Sequence, residues 1–442
     1  MLDLKYKTIL SVALPLMVSS FIQSIVLLTD TAFLSRYSTV AFDAAGNGGL
    51  IYVTMFMALA GMGDGAQILI ARRIGQKNLG AVGRIFGTSI LTHFALAMIL
   101  FLLLQMVVPN MLLGYSKHQD LAIAQNQFIS IRSYALFFAM ISLSIQAFFF
   151  ATGKTWVVLV SAIITAFSNV IMDYVLIFGK YSFPEMGLEG AALASTLADG
   201  MGMLFLLFFL IFSKLRKEYA LFAHFSFNLD SFKELIKVGS PMMFQGLIAL
   251  STWTIFFTWI EQMGKFELTV SQNIRAIYFL AFIPIWGFSA TTKTYISQYI
   301  GRGDFDSLKI IQRKIQFLTM LFLSVIILGA TFFPENLISM INPSKEYIGK
   351  SADILRLISV STLLFGFISV YFQTINGSGN TMVTFKIEII CVVVYLSFSY
   401  FFIKILKLDI YWVWAVEYIY FGLTGILSIG YLRFFDWKKK IV

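Results

Sequence analysis

TILSVALPLMVSSFIQSIVLLTDTAFLS, residues 8–35, runs for 28 residues with a single ionisable side chain, Asp30. Wound as an α-helix it reaches about 42 Å at about 1.5 Å per residue, more than the roughly 30 Å hydrocarbon core of a bilayer. Lipid offers nothing to the backbone N–H and C=O groups, so such a run crosses as a helix. Runs of the same kind follow near 46–71, 84–113, 129–152, 156–179, 187–213, 233–262, 270–300, 314–340, 352–377, 381–406 and 409–435. The chain therefore reads as an all-α membrane protein with twelve transmembrane helices. The alternating pattern of a membrane β-barrel is absent.

Composition agrees. Apolar residues make up 58% and charged residues 13%, against about 25% charged in a soluble domain. The longest polar interruption, 214–232, contains Lys214, Arg216, Lys217 and Glu218. It parts an amino-terminal lobe of six spans, 1–213, from a carboxy-terminal lobe of six, 233–442. The net charge of +10 does not imply nucleic acid, because the basic residues sit in short loops. One set holds Lys5, Lys7, Arg72, Arg73, Lys77, Arg84, Lys154, Lys214, Arg216, Lys217, Arg302, Lys309, Arg313, Lys314 and Lys438–Lys440. The opposite loops hold Arg36, Lys117, Lys180, Lys265 and Lys345, mostly beside acids. The positive-inside rule then puts both termini in the cytoplasm of a multi-pass protein of the bacterial inner membrane. The first span is expected to be retained rather than cleaved as a signal peptide. Cys391 is the one cysteine, which excludes a disulfide framework.

The halves repeat. Pro15 in ALPLM and Pro241 in GSPMM stand 226 residues apart, as do Gly75 in RRIGQKN and Gly301 in QYIGRGD, and Gly153 in FATGKT and Gly379 in GSGNT. Six spans is an even number, so the lobes share one topology. A pseudo-two-fold axis along the membrane normal is expected, with a cavity between them near the midplane.

Ionisable groups inside spans carry most of the functional information, since each costs about 2.5–3.5 kcal/mol to insert. Span 1 has Asp30. Span 5 has Asn169 and Asp173, four residues apart and so on one helix face. Span 6 repeats that spacing with Ser195 and Asp199, and span 4 has Gln146. Clustered carboxylates disfavour one another's ionised form, so such a group can hold a proton near neutral pH. Its oxygens equally suit Na⁺ at Asp30, Asn169 and Asp173. The plainer alternative is a set of separate interhelical hydrogen bonds. The second half has Glu261, Arg275, Glu388 and Glu417 instead, and the repeat mate of Asp30 is Phe256. Arg275 can pair with a glutamate there, and Glu261 can lie at the outer surface. Asp64, Arg132, Lys293 and Arg356 stand nearer span ends, where snorkelling accounts for them.

Three histidines, His93, His118 and His224, are scattered without metal-ligand spacing, and no P-loop appears. No cofactor or ATP-binding module is expected, so the energy source is an ion gradient or a partner. Nineteen methionines and many aromatics suit an adaptable apolar lining.

Several segments together resemble one family. They are ALPLMVSSFIQSIVLLTDTAFLSR (13–36), GAQILIARRIGQKN (65–78), GKT (153–155), NVIMDYVLIFG (169–179), GLEGAALASTLAD (187–199), FIPIWGFSATTKTYISQYIGRGD (282–304) and NGSGNT (376–381). They resemble the MATE family, the multidrug and toxic compound extrusion antiporters, over nearly the whole chain. The resemblance implies a secondary transporter and no enzyme. It would export organic, often cationic and amphipathic, compounds in exchange for H⁺ or Na⁺ by alternating access, as a monomer. Asp30 with Asn169 and Asp173 is similar to the cation site of the DinF-like branch. Gln146 and Ser195 stand where the family often has Asn and Thr. Ala249 stands about where the NorM-like branch has a glutamate, so Glu261, Arg275, Glu388 and Glu417 remain candidates for a second-lobe cavity. The alternatives are a lipid-linked precursor flippase of the same superfamily or, less in keeping with the residues, a membrane-embedded enzyme.

Overall fold

The computed structural model describes residues 2–115, 119–223 and 225–438. Lys117, His118, His224, Lys439 and Lys440 lie outside the described residues. Within them every regular element is a helix, and twelve helices are long and apolar enough to cross a membrane. They are α1 Tyr6–Tyr37, α2 Thr39–Gly75, α3 Leu79–Gly114, α4 Ala135–Thr152, α5 Trp156–Phe178 and α6 Gly187–Phe212 in the first half. In the second they are α7 Leu229–Glu261, α8 Lys265–Arg302, α9 Ser307–Phe332, α10 Lys345–Gly377, α11 Thr381–Ile405 and α12 Ile410–Phe434.

The polar residues of these helices show the lipid constraint at work. In α1 the hydroxyls of Ser19, Ser20, Ser24, Thr29 and Thr31 each donate to the carbonyl four residues earlier, at 2.7–3.1 Å. A hydroxyl satisfied by its own helix needs no partner in the hydrocarbon. Pro15, Pro241 and Pro284 lie inside α1, α7 and α8.

The repeat is visible in backbone geometry. Gly153 closes α4 in the left-handed region at φ 74°, and its mate Gly379 follows α10 at φ 82°. Lys77 after α2 has φ 58°, and its mate Gly303 after α8 has φ 79°. The fourth span departs from the pattern. A helix Gln119–Arg132 precedes α4 and breaks at Ser133 and Tyr134, whereas α10, its counterpart, runs unbroken. The span expected over 129–152 thus begins at Ala135, and its first residues belong to the preceding helix.

Packing divides the chain into two units. One comprises Leu14–Met243; the other comprises Met1–Ala13 with Phe244–Val442. The divisions fall inside α1 and α7, beside Pro15 and Pro241, and not in the polar stretch 214–232. The core of the first unit is rich in small residues, with Ala97, Ala135 and Ala192 beside Leu59 and Ile177. The core of the second is aromatic, with Phe256, Tyr278, Tyr395, Trp414 and Phe421.

In the first unit the start of α7 lies along α2 with its backbone almost in contact. A Cβ on Gly61 would fall 2.5 Å from Met243 Cα, and one on Gly65 would fall 2.5 Å from Gly239 Cα. Small residues four apart are what permit this approach. Further along the same helix, Arg73 Nη2 donates to both carboxylate oxygens of Glu234 at 2.7 Å. In the second unit the chain start is held by α8 and α9. Tyr295 and Tyr299 donate their hydroxyls to the carbonyls of Asp3 and Leu2 at 3.0 and 3.1 Å, and Lys314 Nζ donates to that of Leu4 at 2.7 Å.

Gly65→Val is therefore expected to lower the thermal unfolding midpoint of the purified protein, since overpacking a tight contact costs about 1–3 kcal/mol. Gly329→Ala, where an added Cβ meets nothing within 4 Å, serves as the control and leaves it unchanged or slightly raised. Equal midpoints for the two variants would contradict the close crossing.

Candidate functional site

The first unit gathers four of the sequence candidates. Asn169 and Asp173, on one face of α5, are almost wholly buried at 1% and 0% exposure. Asn169 Nδ2 donates to Ser195 Oγ of α6 at 3.1 Å. Asp173 faces Asp30, and the two carboxyl groups act on each other through their side chains. The carboxy-terminal end of α1 is fixed against α5 by aromatic contacts. Phe33 lies 5.9 Å and Tyr37 6.5 Å from the ring of Phe178. Gly187, at φ 51°, leaves room for the Tyr37 ring at the start of α6.

Four buried oxygens there find no hydrogen-bond partner among the described residues: Asp30 Oδ1, Asn169 Oδ1 and both carboxylate oxygens of Asp173. Leaving such atoms unsatisfied is costly. All four are acceptors when the carboxylates are ionised, so a proton or a hard monovalent cation fits the donor set. Among the described residues no group of three or more His, Cys, Asp or Glu forms a metal site.

Asp199 sits one step away in an ion pair. Arg132 Nη1 donates to its Oδ2 at 2.7 Å, and the guanidinium lies 4.3 Å from the centre of the Tyr52 ring. Arg132 was expected to snorkel from a span end. Its side chain is instead 15% exposed, because the break at Ser133 leaves it at the last turn of Gln119–Arg132, facing α6. Its charge also acts on Asp30 and Asp173. Gln146 is half-buried on α4 and makes no hydrogen bond with this group. Of the histidines, His93 is fully buried and is held by Ser89, Ser144 and the Leu59 carbonyl.

At the repeat positions the second unit has no carboxylate, and the mate of Asp173 is the buried Ser399. Phe256, Tyr395 and Phe421 stand where the first has Asp30, Asn169 and Ser195, and the Phe256 and Tyr395 rings are 5.4 Å apart. Its own acids are separated. Glu417 accepts from the hydroxyls of Tyr278 and Tyr395 at 3.1 and 3.2 Å, and Glu388 accepts from Tyr420 at 2.7 Å. Glu261 is exposed at the end of α7. Arg275 pairs with none of these glutamates; its guanidinium lies over the Phe257 ring at 4.9 Å. The glutamates sit on α11, α12 and the tip of α7, and tyrosine hydroxyls satisfy the two that are buried. Lys293 is buried at 5% exposure rather than snorkelling, while Arg356 pairs with Asp353 at the surface.

The MatE family profile matches residues 15–175 and again residues 241–401, two segments with the 226-residue offset of the proline pair. The chain is 26% identical over 457 residues to a probable multidrug resistance protein NorM of Thermotoga maritima, covering 99% of this chain and 94% of that one. It is 22% identical over 432 residues to a probable multidrug resistance protein YoeA of Bacillus subtilis, covering 96% and 93%. A MOP superfamily transporter from Pyrococcus furiosus shares the fold at TM-score 0.89 and 17% identity, over 97% of this chain and 95% of that one. A Vibrio cholerae MATE transporter does so at TM-score 0.86 and 17% identity, over 98% of each.

The Arg132–Asp199 contact is expected to behave as a coupled pair. Arg132→Ala and Asp199→Ala should each lower the unfolding midpoint, and the double variant by little more than either alone. Strictly additive losses would show that the two side chains do not support each other.

Proposed function

Because the chain belongs to the MatE family, a family of multidrug efflux transporters, we propose that it is a cation-coupled antiporter. It exports organic compounds while H⁺ or Na⁺ enters at Asp30 and Asp173. The observation that carries this reading is the convergence of four buried acceptor oxygens of Asp30, Asn169 and Asp173 without a hydrogen-bond partner. Two carboxylates side by side in a low-dielectric span repel each other strongly when both are charged. A proton shared between them, or a cation held by their oxygens and that of Asn169, relieves the repulsion. Ser195 orients the Asn169 amide by accepting from its Nδ2, which turns Oδ1 toward the carboxyls.

Arg132 links ion occupancy to shape. When the ion is bound, Arg132 is held by Asp199. When it leaves, the freed charge on Asp30 and Asp173 competes with Asp199 for the guanidinium. That competition biases α1, α5 and α6 between two arrangements, as a ligand can do only through different affinity for each. Asp199 is thus part of the coupling site through Arg132, and Gln146, half-buried on α4, is assigned to the same lobe's coupling set. We read the chain as nearer the DinF-like branch, a reading supported by Asp30 with Asn169 and Asp173 and by Ala249 standing about where the NorM-like branch has a glutamate. The remaining assignments rest on the loop charges. Both termini face the cytoplasm of a bacterial inner membrane, and 214–232 links the lobes 1–213 and 233–442. The working unit in this reading is a single chain.

In proteoliposomes with H⁺ and Na⁺ gradients imposed separately, one of the two should drive export of a fluorescent organic dye. Asp30→Asn should reduce that export to the leak of empty vesicles while the protein still inserts. Normal gradient-driven export by this variant would sink the proposal.

A further inference from the structure

Arg275 is a charged group that the coupling site does not use. It lies ten residues beyond Lys265 on α8, about 15 Å along the helix from its start. It falls inside the apolar span expected over 270–300, five residues from the start of that span. It makes no ion pair or hydrogen bond among the described residues, and no acid acts on it. The buried glutamates of its unit are taken up by tyrosines, as described above. The Phe257 ring at 4.9 Å replaces only part of the water that a guanidinium loses inside a span.

What surrounds it is aromatic. Phe279, Phe282 and Trp286 follow at four, seven and eleven residues, which sets them on the face of α8 that carries Arg275. Phe279 and Trp286 are 50% and 44% exposed. Their rings are 6.4 Å apart, and Phe282 lies 6.1 Å from Trp286. Trp253 of α7 closes the row, 5.8 Å from Phe279 and 5.6 Å from Phe257. The result is one positive charge at the head of an aromatic row about 16 Å long. All of these residues belong to the second unit.

We propose that this row is a cargo subsite for aromatic organic anions or zwitterions. The planar guanidinium takes a carboxylate or another oxyanion through its paired donors, and the exposed rings stack on the apolar body. The inference rests on the efflux reading and narrows it, since a cation alone would be repelled from Arg275.

The test uses the purified full chain and two aromatic dyes of similar size, fluorescein as the anion and rhodamine 123 as the cation. Binding is read by fluorescence anisotropy in nanodiscs. In Arg275→Gln the fluorescein affinity, taken relative to rhodamine 123 in the same preparation, should fall by about tenfold to a hundredfold. Arg275→Lys, which keeps the charge but loses the fork, should show a smaller fall, and it carries the comparison if the glutamine variant does not fold. An unchanged ratio, or no fluorescein binding by the unmodified protein, overturns the proposal. So does displacement of fluorescein by phosphatidylglycerol, which would assign Arg275 to a lipid headgroup. Equilibrium binding needs no ion gradient. Intact fluorescein binding without gradient-driven export therefore counts against the antiport reading and not against this one.

Discussion

Backbone hydrogen bonding in a medium without water is the constraint on which the rest of this protein depends. It makes every span a helix, and it disciplines the polar side chains. The hydroxyls of α1 turn back onto their own helix. Glu417 and Glu388 collect tyrosine hydroxyls, and His93 is held on both ring nitrogens. Against that thoroughness, the few polar groups left over mark the places where the chain interacts with something other than itself. Among the described residues they include the oxygens of Asp30, Asn169 and Asp173, the hydroxyls of Ser399 and Ser428 and the guanidinium of Arg275.

The two units solve the same packing problem with different chemistry. Where the first sets Asp30 against α5, the second sets Phe256 against Tyr395. Two aromatic rings fill volume where the first unit has Asp30 and Asn169, and the Tyr395 hydroxyl turns to Glu417. Duplication supplied the scaffold twice, but the carboxylate site stands in only one copy. The second copy was free to build something else at other positions, such as the aromatic row headed by Arg275.

Much of this was legible in the sequence, for reasons that differ by feature. Spans announce themselves because lipid tolerates so few charges, and the repeat shows because Gly153 and Gly379 both need a left-handed backbone. Asp30, Asn169 and Asp173 stand out as polar residues in apolar surroundings, and two of them share a helix face. Pairings across helices were not legible. Arg132 reads as a span-end residue, because the break at Ser133 that turns it inward leaves no glycine or proline to announce it. Arg275 reads as the partner of a glutamate, because sequence counts charges without showing that tyrosines have already claimed the acids. The spacing of Arg275, Phe279, Phe282 and Trp286 was readable, but its meaning depended on which acids stayed away.

The exchange of helix starts speaks to ancestry. The start of α7 lies on α2 through Arg73, and the start of the chain lies on α8 through Tyr299, which is the repeat mate of Arg73. Each half therefore gives the opening of its first helix to the other. That is the arrangement left behind when a domain-swapped homodimer is fused into one chain.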